Sequence, residues 1–220
     1  MSVTQVPLSG AAAMLIGLAA LAVVMLNGLW RFSQHGMVMA HEGGHAAMAA
    51  LFFRKVDGIA LNANASGETT RAAAIWPGTV LIKLAGHLGP SLFGLAAAKM
   101  IETGHIAEVL WIALFLLALL LIAVRTSFGV LAVVVAGGLV FLLVRYTPMP
   151  VQIVAAYALT WFLLLSGVRG ILERASIRGG GDAKSLRGIT FIPMFIWFLV
   201  WVGGTITAVA IGGKWLILRT

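Results

Sequence analysis

His41 and His45 stand four residues apart in Ala40-His41-Glu42-Gly43-Gly44-His45-Ala46-Ala47, inside an apolar stretch with a helical pattern. At that spacing both imidazoles leave one face of a helix, one turn apart. Two neutral imidazoles so placed can share a Zn²⁺ at about 2.0–2.1 Å each. Glu42, beside the first of them, is positioned to take a proton from a water activated there. Met37-Val38-Met39 precedes the motif and Ala49-Ala50-Leu51-Phe52-Phe53 follows it, which sets these groups at membrane depth. Ionisable groups in hydrocarbon are costly and by default mark function. A lone buried histidine is most simply a hydrogen-bonded structural residue. A pair at i,i+4 with an adjacent Glu has no comparably cheap explanation.

A catalytic zinc usually takes three protein ligands and a water. The chain has no cysteine, so disulfides and thiolate ligands are both excluded. The candidates for the third position are Asp57, His87, Glu173 and Asp182. Asp57 falls past the end of the motif helix, and Glu173 lies among arginines as an ion-pair partner. His87 would complete a three-histidine site. Asp182 follows Gly179-Gly180-Gly181, where the backbone can bend, but an Asp opening a helix is also a good cap. Spacing favours Asp182 over His87 and leaves both open.

The elements that must position these residues are membrane helices. Hydrophobic residues make up 61% of the 220 and charged residues 10%, and several apolar runs reach the length of a span. The expected fold is an all-α polytopic membrane protein, a single domain over residues 1–220. About seven transmembrane helices are expected, with a short β-hairpin or loop after the second. Residues 1–33 are the N-terminal span and 34–220 the core with its accessory spans. The first ten residues carry no positive charge, so a retained first helix over Ala11–Trp30 is expected rather than a secretory signal. Arg31–Gln34 reads as a turn and His35–Phe53 as the motif helix. Val56–Ala74 alternates weakly, with a turn signal at Ser66-Gly67. The third helix, about Gly78–Ile101, contains Lys83 and Gly86-His87-Leu88-Gly89-Pro90-Ser91. A Gly-Pro break beside a histidine can open a helix onto a polar cavity or simply kink it for packing. Ile106–Val124, Phe128–Val144 and Val151–Val168 read as lipid-facing bulk, with Gly137-Gly138 allowing close helix approach. A charged stretch, Arg169–Thr190, precedes a last span over about Phe191–Gly213.

The net charge of +8 resides in loops, where Lys and Arg set topology. No basic face with interleaved aromatics suggests nucleic acid. With seven spans, Arg54, Lys55, Arg71, Arg125, Arg169, Arg174, Arg178, Lys184 and Arg187 share the side of the N-terminus. Arg31, Lys99, Arg145, Lys214 and Arg219 face the other way. The excess places the N-terminus, the Val56–Ala74 segment and the Asp182 segment, and so the opening of the site, in the cytoplasm of a multi-pass cell-membrane protein.

Ala40-His41-Glu42-Gly43-Gly44-His45-Ala46, Gly86-His87-Leu88-Gly89-Pro90 and Gly181-Asp182-Ala183 together resemble the site-2 protease family of membrane-embedded zinc metalloproteases, closest to its compact bacterial branch. The resemblance covers about Gly36 to Trp201. It implies a peptidase that cuts a transmembrane protein within or near the lipid bilayer, with one Zn²⁺ as cofactor. It makes His41, His45 and Asp182 the ligands and Glu42 the general base. It also implies that Ile59–Thr70 holds substrate by strand addition, as an extended backbone requires. Two features depart from the family pattern. Asp182 is followed by Ala183 where Gly is frequent, and Ser91 follows Pro90 where an Asn often lies nearby. His87, Gly89, Pro90, Ser91, Asn62 and Asn64 are left as candidate substrate or oxyanion contacts. The rival class is a non-catalytic protease-like binding protein or a metal-ion carrier. An intact Glu42 argues against the first, and the scarcity of acidic residues in the spans against the second.

Overall fold

The computed structural model describes residues 5–71, 76–177 and 181–218. The order is α1 (Gly10–Met25), α2 (Asn27–Leu51), β1 (Val56–Leu61), β2 (Gly67–Arg71), α3 (Trp76–Glu102), α4 (Ile106–Ala123), α5 (Ser127–Tyr146), α6 (Met149–Ile177), α7 (Gly181–Thr190) and α8 (Met194–Leu218). Residues 72–74 of the expected hairpin segment, and Arg178, Gly179, Gly180 and Arg219, lie outside the described residues. Five helices are long and apolar enough to cross a membrane, or six if α1 and α2 together form one broken span. The expected count of about seven is thus approximate: the first two expected spans form the bent pair, and their boundary differs. The chain turns by 98° at Leu26, and Arg31–Gln34 is helix rather than turn.

Polar side chains at the bend account for it. Ending α1 at Met25 frees carbonyls that a continuous helix would bond. The Arg169 guanidinium on α6 donates to the Val24 carbonyl and, at 2.8 Å, to Asn27 Oδ1. Its Nε donates to Glu173 Oε1 at 2.8 Å, while the Trp30 indole N–H donates to Glu173 Oε2 at 2.8 Å. The guanidinium also lies over the Trp30 ring, 4.7 Å from its centroid. Glu173 is thus the ion-pair partner its arginine neighbours suggested.

The expectation that α6 is lipid-facing bulk is corrected. Tyr157, Trp161 and Leu164 are buried at the centre of the main core, against Ala13 of α1, Ala98 and Ile101 of α3, and Ala208 and Leu216 of α8. Trp161 fits because Gly17 and Gly213 leave room on either side, and its N–H donates to the Ala13 carbonyl at 3.0 Å. On α4 and α5, by contrast, Phe115, Ile122, Leu131 and Leu139 are exposed, the surface of a protein solvated by lipid. The apolar helices make the chain a multi-pass membrane protein.

After α2 the chain forms an antiparallel hairpin that pairs Ile59 with Thr69 and Leu61 with Gly67. Ile59 and Leu61 bury their side chains in a second cluster with Val24, Val38 and Val124. The far edge of β1 is closed. Ile59 accepts from Arg125 N–H at 2.9 Å, and Leu61 exchanges hydrogen bonds with the Thr126 hydroxyl. Four spans, α3 to α6, separate the hairpin from α7. The two therefore share a membrane side however α1 and α2 are counted.

Close helix approach occurs between α2 and α3, and not at Gly137-Gly138, where an added Cβ would meet nothing within 4 Å. A Cβ on Gly44 would run into the Ala85 carbonyl and lie 3.2 Å from Gly89 Cα. Gly44→Ala is therefore expected to destabilise the protein by about 1–3 kcal/mol through overpacking, read as a lower melting temperature in detergent. Gly138→Ala should stay within about 0.5 kcal/mol of wild type. Equal melting of the two variants would contradict the assigned α2–α3 contact.

Candidate metal centre

The α2–α3 contact brings the motif face of α2 against a turn of α3. His41, Glu42 and His45 are all buried there. The His45 ring stands directly over Gly86, where any side chain would collide with it. Its Nδ1 lies 2.8 Å from the Ile82 carbonyl. A carbonyl only accepts, so Nδ1 carries the hydrogen and Nε2 keeps its lone pair. The His41 and His45 rings are 4.8 Å apart and nearly perpendicular, one turn from each other as the spacing required.

Asp182 arrives from the other end of the sequence. α7 packs on α3 and α8 and buries Leu186 among Ile171, Trp197 and Trp201. This sets the Asp182 carboxylate over the imidazoles, with Oδ2 3.4 Å from Nε2 of His45 and 3.4 Å from Nε2 of His87. Burial disfavours the charged carboxyl. The two imidazoles beside it and the Lys83 ammonium outweigh this and hold Asp182 well below the usual carboxylate range. One ligand atom each from His41, His45 and Asp182 fall within 4.8 Å of one another. Two donors on a tetrahedral ion at about 2.0–2.2 Å lie roughly 3.3–3.6 Å apart. The His45–Asp182 separation already matches, and the rest of the group is within side-chain adjustment. Two imidazole nitrogens and a carboxylate oxygen suit zinc, and an open fourth position is the mark of a catalytic site. The donor set fits the ion that the sequence implied.

Glu42 Oε1 lies 4.0 Å from His41 Nε2, and its other oxygen accepts from the Thr69 hydroxyl of β2 at 2.7 Å. β2 passes close over the carboxylate, so that a Cβ on Gly67 would lie 2.5 Å from Oε1. A cavity of about 780 Å³ adjoins these residues, lined among others by His41, Glu42, His87, Asn64, Thr69 and Phe198. His87 stacks on Trp201 with ring centroids 3.9 Å apart and lies 4.7 Å from the His41 ring.

The other sequence candidates divide. Asn64 lines the cavity, but its Oδ1 accepts from Ser66 and builds the hairpin turn. Asn62 also bonds Ser66 in that turn and does not line the cavity. Ser91 points the other way, donating to the Leu164 carbonyl of α6 at 3.2 Å, so it ties two spans together. Gly89 and Pro90 are buried in a continuous α3. The glycines there serve close packing, and the helix does not break open. Asp57 pairs with Lys55 at 3.7 Å, away from the cluster. Thr69 was missed because a single threonine in a hairpin has no sequence signature. Lys83 received no role, although a lysine in a span four residues before His87 shares its face.

A model of the Peptidase M50B-like family matches residues 14–212. No curated protein and no solved structure matches the chain. The matched stretch runs from α1 into α8 and takes in the motif helix, the hairpin and Asp182, in keeping with the site-2 protease resemblance of the motifs. The chain therefore belongs to the Peptidase M50B-like family of membrane metalloproteases.

Proposed function

We propose that the protein is a zinc metalloendopeptidase that hydrolyses a peptide bond of a transmembrane protein within or near the bilayer. The observation that carries the reading is the gathering of His41, His45 and Asp182 within 4.8 Å beside a buried Glu42. When bound, the ion supplies a Lewis acid that polarises a carbonyl and lowers the pKa of water towards about 7. Glu42 accepts the proton of the attacking water and later returns it to the leaving amine. The Thr69 hydroxyl fixes the Glu42 rotamer through Oε2 and leaves Oε1 turned towards His41. His87 is the candidate to steady charge developing on the scissile carbonyl oxygen, because its ring is held against Trp201 at the cavity wall.

A scissile peptide must be extended, and β2 offers the edge for it. β1 is already closed by Arg125 and Thr126, and among the described residues no further strand pairs with β2. A substrate strand laid along β2 would run beside Thr69 and hence beside Glu42. The basic residues of the hairpin and α7 side favour a cytoplasmic opening. The N-terminus joins that side if α1 and α2 cross separately.

Glu42→Gln is expected to retain zinc while lowering cleavage of a membrane-protein substrate by about 10²–10⁴-fold. Persistent cleavage would remove Glu42 as base. Metal uptake into vesicles that survives the same change would favour a carrier instead. Gly67→Val should drive a side chain into the Glu42 carboxylate and reduce cleavage by about 10²-fold, with zinc content unchanged by metal analysis. Full activity in that variant would mean that β2 does not pass over the working site. Asp182→Ala should bind zinc much more weakly by metal analysis; full retention would discard that ligand and promote His87.

A further inference from the structure

One step of α3, Ile82-Lys83, touches ligands from two different helices. The Ile82 carbonyl accepts from His45 Nδ1–H at 2.8 Å. Lys83 Nζ lies 2.6 Å from Asp182 Oδ1. Both charged groups are largely withdrawn from solvent, their side chains 13% and 21% exposed. An ammonium at membrane depth is costly without a partner, and this one is spent on a single carboxylate oxygen. The other oxygen, Oδ2, is the one turned to the imidazoles.

Asp182 needs such a tether. It sits in the first turn of α7, a helix of ten residues. Leu186 is the one buried side chain of that helix among the described residues. A carboxylate one turn from that anchor, with only the partly buried Ala183 packed beside it, can swing by more than the tolerance of a metal bond. His41 and His45, by contrast, ride on a helix of 25 residues packed along α3.

We propose that Lys83 is the positioning residue for the third ligand. It engages Oδ1, leaves Oδ2 as the single donor atom, and docks the start of α7 on the same turn of α3 that orients His45. The inference rests on the metal centre proposed above. Groups behind the ligands typically govern metal affinity in this way.

The sign of the effect separates this role from simple electrostatics. A cation near a divalent ion repels it, so deleting the charge would tighten binding if Lys83 acted only through space. Loss of positioning weakens binding. The test is zinc affinity of the full chain in detergent, by competition with a chelating dye, for wild type, Lys83→Met, Lys83→Arg, Asp182→Asn and the double variant K83M/D182N. The expected result is about a 10–100-fold loss in Lys83→Met, largely recovered in Lys83→Arg. Within the Asp182→Asn background, Lys83→Met should change affinity by less than about threefold, because the carboxylate ligand that Lys83 positions is gone. The Co²⁺-loaded Lys83→Met protein should show an altered visible absorption band, reporting a changed donor set. Lys83→Gln, which keeps a donor without the charge, replaces the methionine variant should that one not fold. Unchanged or tighter zinc in Lys83→Met overturns the proposal, as does a loss of equal size in the Asp182→Asn background. A wild-type chain that takes up no zinc overturns the metal centre itself, and the proposal with it.

Discussion

A charge held out of water must find a partner or be neutralised by gaining or losing a proton, and this constraint organises the structure. Glu42 is 2% exposed and accepts from Thr69. Asp182 lies between two imidazoles and an ammonium. Arg169 and Glu173 saturate one another and the freed backbone at the α1–α2 bend. Each arrangement draws its groups from elements far apart in sequence. The fold can be read as the means of bringing those partners together in lipid.

Glycine makes the meeting possible at the centre. Without side chains at Gly44, Gly86 and Gly89, α2 lies close enough to α3 for His45 to hydrogen-bond an α3 carbonyl. That bond selects the tautomer whose Nε2 is free, so helix packing decides which nitrogen of His45 is available to a metal. The hairpin approaches Glu42 for the same reason, since Gly67 presents only backbone to the carboxylate. The proposed chemistry thus depends on the smallest residues of the site as much as on its ligands.

The rest of the molecule divides by solvent. α4 and α5 present broad apolar faces outward, while α6, less apolar but still apolar enough to span, is the centre of the main core. Composition does not separate a helix that faces lipid from one that faces other helices, because both are apolar. For that reason the lipid-facing reading failed at α6. The bend at Leu26 was illegible for a related reason: no proline marks it, and the Val24 carbonyl accepts from an arginine more than 140 residues away.

The sequence by itself determined the membrane class, the apolar runs of most spans, the turn signal at Ser66-Gly67, and the shared helix face of His41 and His45 with Glu42 beside them. Those features depend on residue type and spacing within one or two turns, where local geometry is nearly invariant. Spacing favoured Asp182 and left His87 open; tertiary structure alone set the Asp182 carboxylate against the imidazoles, turned Ser91 away, and placed Lys83 and Thr69 on the carboxylates. Such contacts depend on how four intervening spans return α7 to α2. That return is an outcome of packing across the whole bundle, which no local pattern encodes.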